Sequence, residues 1–91
     1  GGQGLGNADQ LLQGIISRQN LSSPAAVVDY FTALFIDGQI TAPRRQTLID
    51  ALTASGASGD TIPLAGGGSV VASNLRVMLY LLLTGPEYQL N

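Results

Sequence analysis

Apolar residues recur at helical spacing in four segments of the chain. In the first segment, Asn7 or Asp9 can cap the start of a helix, because their side-chain oxygens accept hydrogen bonds from free backbone N–H groups. Gly14 lies inside this helix at a cost of about 1 kcal/mol relative to alanine, so we expect the helix to depend on its neighbours. Its predicted buried positions are Leu11, Leu12, Ile15 and Ile16.

The second and third helices have the clearest start signals. Ser23 is a cap residue followed by Pro24, which needs no N–H at the first helical position. Thr41 is the next cap, with Pro43 in the first turn, and Gly38 after Asp37 is expected to end the second helix. A short link makes the two helices a helical hairpin. The apolar positions are Val27, Tyr30, Phe31, Leu34 and Phe35, followed by Leu48, Ile49 and Leu52.

The fourth helix contains seven consecutive apolar residues, at positions 77–83. We expect it to begin near Ser69 or Ser73 and to end near Thr84, because Pro86 cannot continue a helix. A helix that is apolar all round has no side to present to water. The pattern therefore predicts that other helices enclose this one completely.

A long segment rich in glycine and serine, residues 56–68, separates the third helix from the fourth. Only residues 62–64 have even a brief strand-like character, so the segment is predicted to be a loop. The expected architecture is all-α: a small four-helix bundle forming a single domain over residues 1–91. Residues 1–6 are expected to form a flexible tail, and we expect the chain to be the C-terminal fragment of a longer protein.

Composition excludes several classes of function. The chain has no cysteine or histidine, which removes thiolate chemistry, zinc–thiolate sites and the usual proton shuttle. Its four basic residues, all arginine, and its net charge of -2 argue against a nucleic-acid partner. The longest apolar segment, residues 70–83, falls short of the ~20 residues that span a bilayer.

Candidate sites in the sequence are weak. Asp37 and Gly38 resemble the middle of a calcium-binding loop, but the other ligand positions hold no carboxylates. Residues 65–69 would place glycines before a helix N-terminus, where an anion can bind, yet no lysine accompanies them. The serines have no base to activate them. We therefore predict no catalytic residue, no cofactor and no metal ligand, and whether the chain contributes to an enzyme stays uncertain.

Arg76 is the residue most in need of explanation, because it interrupts an apolar helix. Its guanidinium must either reach the surface or pair with a carboxylate, and Glu87 is the nearest acid in sequence. A salt bridge that fixes the C-terminal turn is one interpretation. Contact with a partner or another domain is the other.

The end of the chain resembles a known family. Residues 75–89, LRVMLYLLLTGPEYQ, are similar to the closing segment of the bacterial family called domain of unknown function 1800. Residues 27–56 are similar to that family's helix, glycine-containing turn and arginine-bearing helix. The positions that match the closing motif are Arg76, Pro86, Glu87, Tyr88 and Gln89, and Gly85 stands where a serine is more usual. The resemblance implies a helical, mostly exported bacterial protein with no assigned reaction.

Two functional hypotheses follow from these patterns. The first is a non-enzymatic helical module that docks onto the rest of a larger bacterial protein or onto a partner, with Arg76, Pro86, Glu87 and Tyr88 as interaction or structural residues. The second is one wall of an active site, or a small-anion site, completed by residues outside this chain, with Arg76 or Asp60 in the cleft. A homo-oligomer is left open, because exposed apolar area can drive dimerisation.

Overall fold

The computed structural model of the protein describes residues 6–86. In chain order its elements are α1 (Asn7–Arg18), α2 (Pro24–Phe35), α3 (Ala42–Leu52), β1 (Thr61–Pro63), β2 (Ser69–Val71) and α4 (Ala72–Leu83). The expected tail, apart from Gly6, lies outside the described residues. Glu87 and Tyr88 lie outside them as well.

The predicted start signals of α2 and α3 are confirmed. The Ser23 hydroxyl accepts a hydrogen bond from the backbone N–H of Ala26 at 3.1 Å, and the Thr41 hydroxyl accepts one from Arg44 at 3.2 Å. The other two helices begin close to the predicted positions, at Asn7 and Ala72, but their predicted capping residues were wrong. Gly6 precedes α1 and Val71 precedes α4, and neither helix has a side-chain cap. Local chemistry therefore specifies the α2 and α3 starts, whereas α4 begins where β2 ends.

The all-α prediction is wrong, because residues 61–71 form an antiparallel β-hairpin. Ile62 pairs with Val70, and both side chains are buried in the core. The glycine-rich residues between the strands make the turn, where Gly67 has a φ of 103°. Strands of three residues are too short to give a recognisable alternation, which is why the sequence indicated a loop.

The prediction that α4 is enclosed on every side is also wrong. Leu75, Met78 and Leu82 form its fully buried stripe, at 0% exposure. On another side of the helix Val77 is 50% exposed and Tyr80 is 66% exposed. A bundle of four short helices has too few elements to surround one of them, so α4 is buried on one face only.

Helix α3 runs antiparallel to α4 and is attached to it at both ends. The Arg44 guanidinium donates to the backbone carbonyl of Leu81 at 2.5 Å, near the start of α3 and the end of α4. At the opposite end the buried amide of Asn74 donates to the carbonyl of Ala54 at 2.9 Å. These two bonds fix the register between the helices along their whole length.

Helices α2 and α3 lie side by side, as the short link predicts. Arg45 of α3 forms a two-pronged ion pair with Asp29 of α2, with N–O distances of 2.8 and 2.9 Å. The hydrogen bond from Arg45 holds the pKa of the Asp29 carboxyl below its ordinary value, and the arginine charge acts in the same direction. Both side chains of the pair are substantially exposed, so the pair adds only modestly to the stability of the fold.

Helix α1 ends in a Schellman turn that leads directly to the hairpin. Asn20 adopts a left-handed conformation, with a φ of 58°, and its N–H donates to the carbonyl of Ser17. The N–H of Leu21 donates to the carbonyl of Ile16, and both of these apolar side chains are buried. The Leu21 carbonyl then accepts a hydrogen bond from Ala65 at the hairpin tip, at 2.9 Å.

We predict that Gly66→Ala destabilises the fold by about 1–3 kcal/mol, the usual cost of overpacking. A Cβ atom at Gly66 would lie 2.7 Å from the carbonyl oxygen of Ser22, a backbone atom that cannot move away freely. Urea-induced unfolding measures the change. Gly68→Ala is the matched control, because a Cβ there meets nothing within 4 Å and its free energy of unfolding should change by less than about 0.5 kcal/mol. If the two substitutions lowered the free energy of unfolding equally, the close approach of the hairpin to the link between α1 and α2 would be contradicted.

We predict that the stabilising effect of the Asp29–Arg45 pair disappears in acid. Because the folded-state pKa of Asp29 is below the model-compound value of 3.8, the contribution is complete above that value and is lost as pH falls through the lower, folded-state pKa. Asp29→Asn should therefore be less stable than the natural protein at neutral pH and equally stable at the acid end. Chemical unfolding at a series of pH values checks this, and a difference that does not vary with pH would count against it.

Candidate functional site

Arg76 projects from α4 and pairs with a carboxylate from the other end of the chain. Its guanidinium donates a hydrogen bond to the carboxylate of Asp9 on α1. The Arg76 side chain is 52% exposed, whereas the Asp9 side chain is only 11% exposed. Both the surface position and a salt bridge were predicted, but the partner suggested by sequence proximity, Glu87, lies outside the described residues.

Asp9 is a more constrained residue than the sequence indicates. It occupies the third position of α1, where the helix dipole favours a negative charge. One carboxylate oxygen bonds Arg76, and the other, Oδ1, is buried with no hydrogen-bond partner among the described residues. Removing the arginine would leave a poorly solvated charge under α1. The pair therefore attaches α1, whose only fully buried apolar side chain is Ile16, to α4.

Two exposed apolar side chains accompany Arg76 on α4. Val77 and Tyr80 are separated by three positions and so lie on the same side of the helix, one turn apart. We call Arg76, Val77 and Tyr80 the α4 surface. Aromatic side chains and arginine, two of the three residues of this surface, are enriched at protein–protein interfaces.

The glycine-rich segment lies in a hairpin turn and not, as the sequence predicted, directly before a helix. Residues 65–69 make the turn and the start of β2, so Val70 and Val71 stand between them and the N-terminus of α4. Gly66 approaches the Ser22 backbone closely, which explains why a side chain is excluded there. The role that the structure gives residues 65–69 is to form the hairpin turn and to pack it against the Ser22 backbone.

The carboxylates of the described residues make separate contacts and do not converge on one place. Asp29 pairs with Arg45, and Asp50 accepts a hydrogen bond from Gln46 one turn earlier on α3. Asp60 is exposed at the hairpin base, and Arg76 pairs with Asp9 and not with it. Within residues 6–86 no cluster of three or more acidic, histidine or cysteine side chains is placed to hold a metal ion.

The surface depressions in the described part of the chain include two of different size. The larger, about 300 Å³, lies between α1 and the hairpin. We call it the α1–β1 groove; its lining residues are Gln13, Ser17, Asn20, Pro63, Leu64 and Ala65. The smaller, about 190 Å³, lies beside β2 and the end of α3 and includes Asn74.

Sequence reasoning missed the α1–β1 groove because it depends on the unpredicted hairpin. The signal on α1 was nevertheless present: Gln13, Ser17 and Asn20 recur at four- and three-residue steps and form an uncharged polar stripe. Of the other predicted residues, Pro86 is exposed, and Tyr88 lies outside the described residues. Arg76 is the one predicted interaction residue that the structure places on a defined surface.

Comparison with protein-family models, with curated proteins and with solved structures gives no match for this chain. The resemblance to the family called domain of unknown function 1800 therefore stays a prediction. In the part of the chain described, no helix has both the length and the apolar character needed to cross a bilayer.

We predict that Arg76→Ala destabilises the protein and that this loss shrinks when Asp9 is also replaced. With the arginine gone, Asp9 keeps a buried, uncompensated charge, which is costlier than having neither partner. In an Asp9→Leu background the same arginine substitution removes no ion pair. A double-mutant cycle by urea unfolding should give a coupling free energy of about 1 kcal/mol. Additive single effects would show that the pair does not attach α1 to α4.

Proposed function

We propose that this chain is a non-enzymatic helical module that docks through its α4 surface onto the remainder of a longer bacterial protein. The observation that carries the proposal is the exposure of Val77 and Tyr80 on a helix whose opposite face is completely buried. An exposed aromatic ring beside a branched aliphatic side chain loses unfavourable contact with water when a partner covers it.

The position of Arg76 supports the same surface. Its guanidinium is about half exposed even though it pairs with Asp9, so donor groups remain available at the rim of an interface. Tyrosine and arginine are both enriched among the interface residues that dominate binding free energy. The arginine thus has a structural role toward α1 and a binding role toward the docked surface.

The alternative of an active-site wall finds less support. Asp60 and Arg76, the two residues expected in such a cleft, form no ion pair with each other, and neither of them lines either of the two depressions described above. General acid–base chemistry requires titratable groups that converge on one place. Docking accounts for the exposed apolar side chains, whereas a catalytic wall does not.

In the test, this chain and the remainder of the protein encoded by the same reading frame are produced as two polypeptides. The experiment measures whether the two polypeptides associate. We predict that the double variant Val77→Ser/Tyr80→Ser weakens this association at least about tenfold, equivalent to about 1.4 kcal/mol. Isothermal titration calorimetry measures the affinity. Both positions are exposed, so circular dichroism should show an unchanged fold.

Leu34→Ser is the matched control, because Leu34 is an apolar side chain of similar exposure, 55%, on α2. It should leave the affinity unchanged. An unaltered affinity of the double variant would refute docking through α4. Concentration-dependent dimerisation of the isolated chain, abolished by the same double variant, would instead identify a second copy as the occupant and would also refute the proposal.

A further inference from the structure

Strand β1, beside the α1–β1 groove, has an outer edge that no other strand of the described residues covers. In the hairpin, Ala72 donates to the carbonyl of Asp60 and Leu64 donates to that of Gly68, both at 2.8 Å. Because hydrogen-bonded pairs alternate along an antiparallel ladder, Ile62 and Val70 form the bonded pair between them. The backbone groups of Thr61 and the carbonyl of Pro63 therefore point away from β2, toward the outer edge.

The outer edge of β1 faces the end of α1. Ala65 continues the same alternation, and its N–H donates to the carbonyl of Leu21, the residue after Asn20. The link between α1 and α2 thus already pairs with this edge at the hairpin tip. Farther along, Thr61 and Pro63 have no backbone partner on this edge among the described residues. The groove meets this unoccupied part of the edge at Pro63, and Thr61 lies farther along the edge, beyond the lining residues.

The opposite wall of the groove carries side chains that suit an uncharged occupant. Gln13 and Asn20 each offer an amide donor and an amide acceptor, and Ser17 between them offers a hydroxyl. None of the lining residues is charged. A charged occupant would lose hydration without gaining an ionic partner, whereas a neutral peptide backbone can hydrogen-bond to both walls.

We propose that the α1–β1 groove binds an extended, uncharged peptide segment that adds a third strand to the hairpin. Within the groove the segment bonds to the carbonyl of Pro63, and its opposite edge meets the amides of Gln13 and Asn20; beyond the groove it continues along β1 and bonds to the backbone of Thr61. Pro63 has no N–H, so the edge offers one donor, the N–H of Thr61, and two acceptors, the carbonyls of Thr61 and Pro63. This asymmetric set selects one register of the incoming strand. The volume of about 300 Å³ is at the lower end of ligand sites, so only a short stretch of the segment is held.

The proposal goes beyond docking through α4 and uses a different surface. A capped six-residue peptide of alternating threonine and valine is the probe, titrated into ¹⁵N-labelled protein. We expect chemical-shift changes centred on residues 13–20 and 61–65, with hydrogen exchange of the Thr61 amide slowed about tenfold or more at saturation. The same peptide N-methylated at alternate residues keeps its side chains but loses backbone donors, and it should bind at least about tenfold more weakly.

Ser17→Leu places a bulky side chain in the groove and should weaken binding of the unmodified peptide at least about tenfold. Ala33→Leu introduces the same side chain at an exposed position of α2 outside the groove and should have no effect. Val77→Ser/Tyr80→Ser should also leave peptide binding unchanged, so failure here is distinguishable from failure of the docking proposal.

Any one of the following results would overturn the proposal. The first is an absence of shifts at residues 61–65, and the second is equal binding of the N-methylated peptide. The third is protection of the Thr61 amide that grows with protein concentration in the absence of peptide, since that would make a second copy of the chain the occupant. Versions of the peptide with aspartate or lysine in place of threonine should bind more weakly, and tighter binding of either would contradict an uncharged occupant.

Discussion

The buried stripe of α4 is the interaction on which the rest of the structure depends. Leu75, Met78 and Leu82 have no exposed surface, and each contributes roughly 1.5–3 kcal/mol of burial free energy. Side-chain to backbone bonds from Arg44 and Asn74 then hold α3 against this helix at both ends. Burying the stripe needs only one side of α4, which leaves Val77 and Tyr80 uncovered. The candidate docking surface is thus the part of the helix that the small core does not reach.

The hairpin and α1 form a second layer whose attachment is polar as well as apolar. The hairpin is bonded to α4 through Ala72 and Asp60 at its base and to the α1–α2 link through Ala65 and Leu21 at its tip. Helix α1 adds Ile16 to the core and the Asp9–Arg76 pair to the surface. Because α1 is held at these places, a polar groove persists between it and β1. The two proposed binding surfaces therefore arise from different layers of the fold.

Arg76 is the part of the candidate site that the sequence predicted, because its charge conflicts with the apolar segment around it. Arg76 in an apolar helix must reach water or a carboxylate, and the structure shows that it does both. Its partner Asp9 is 67 positions away in sequence, and nothing local connects the two. The groove depends on the path of the hairpin past α1, so the polar stripe of Gln13, Ser17 and Asn20 was visible in the sequence but what it faces was not.

By itself the sequence determined the helices that carry their own signals. Ser23 with Pro24 and Thr41 with Pro43 specify two helix starts, because caps and proline act through bonds within one turn. Tertiary structure alone decided that residues 61–71 pair as strands and that α4 is covered on one face only. Three-residue strands gain stability only when Ile62 and Val70 are buried together, and how much of an apolar helix is covered depends on how many neighbours pack against it.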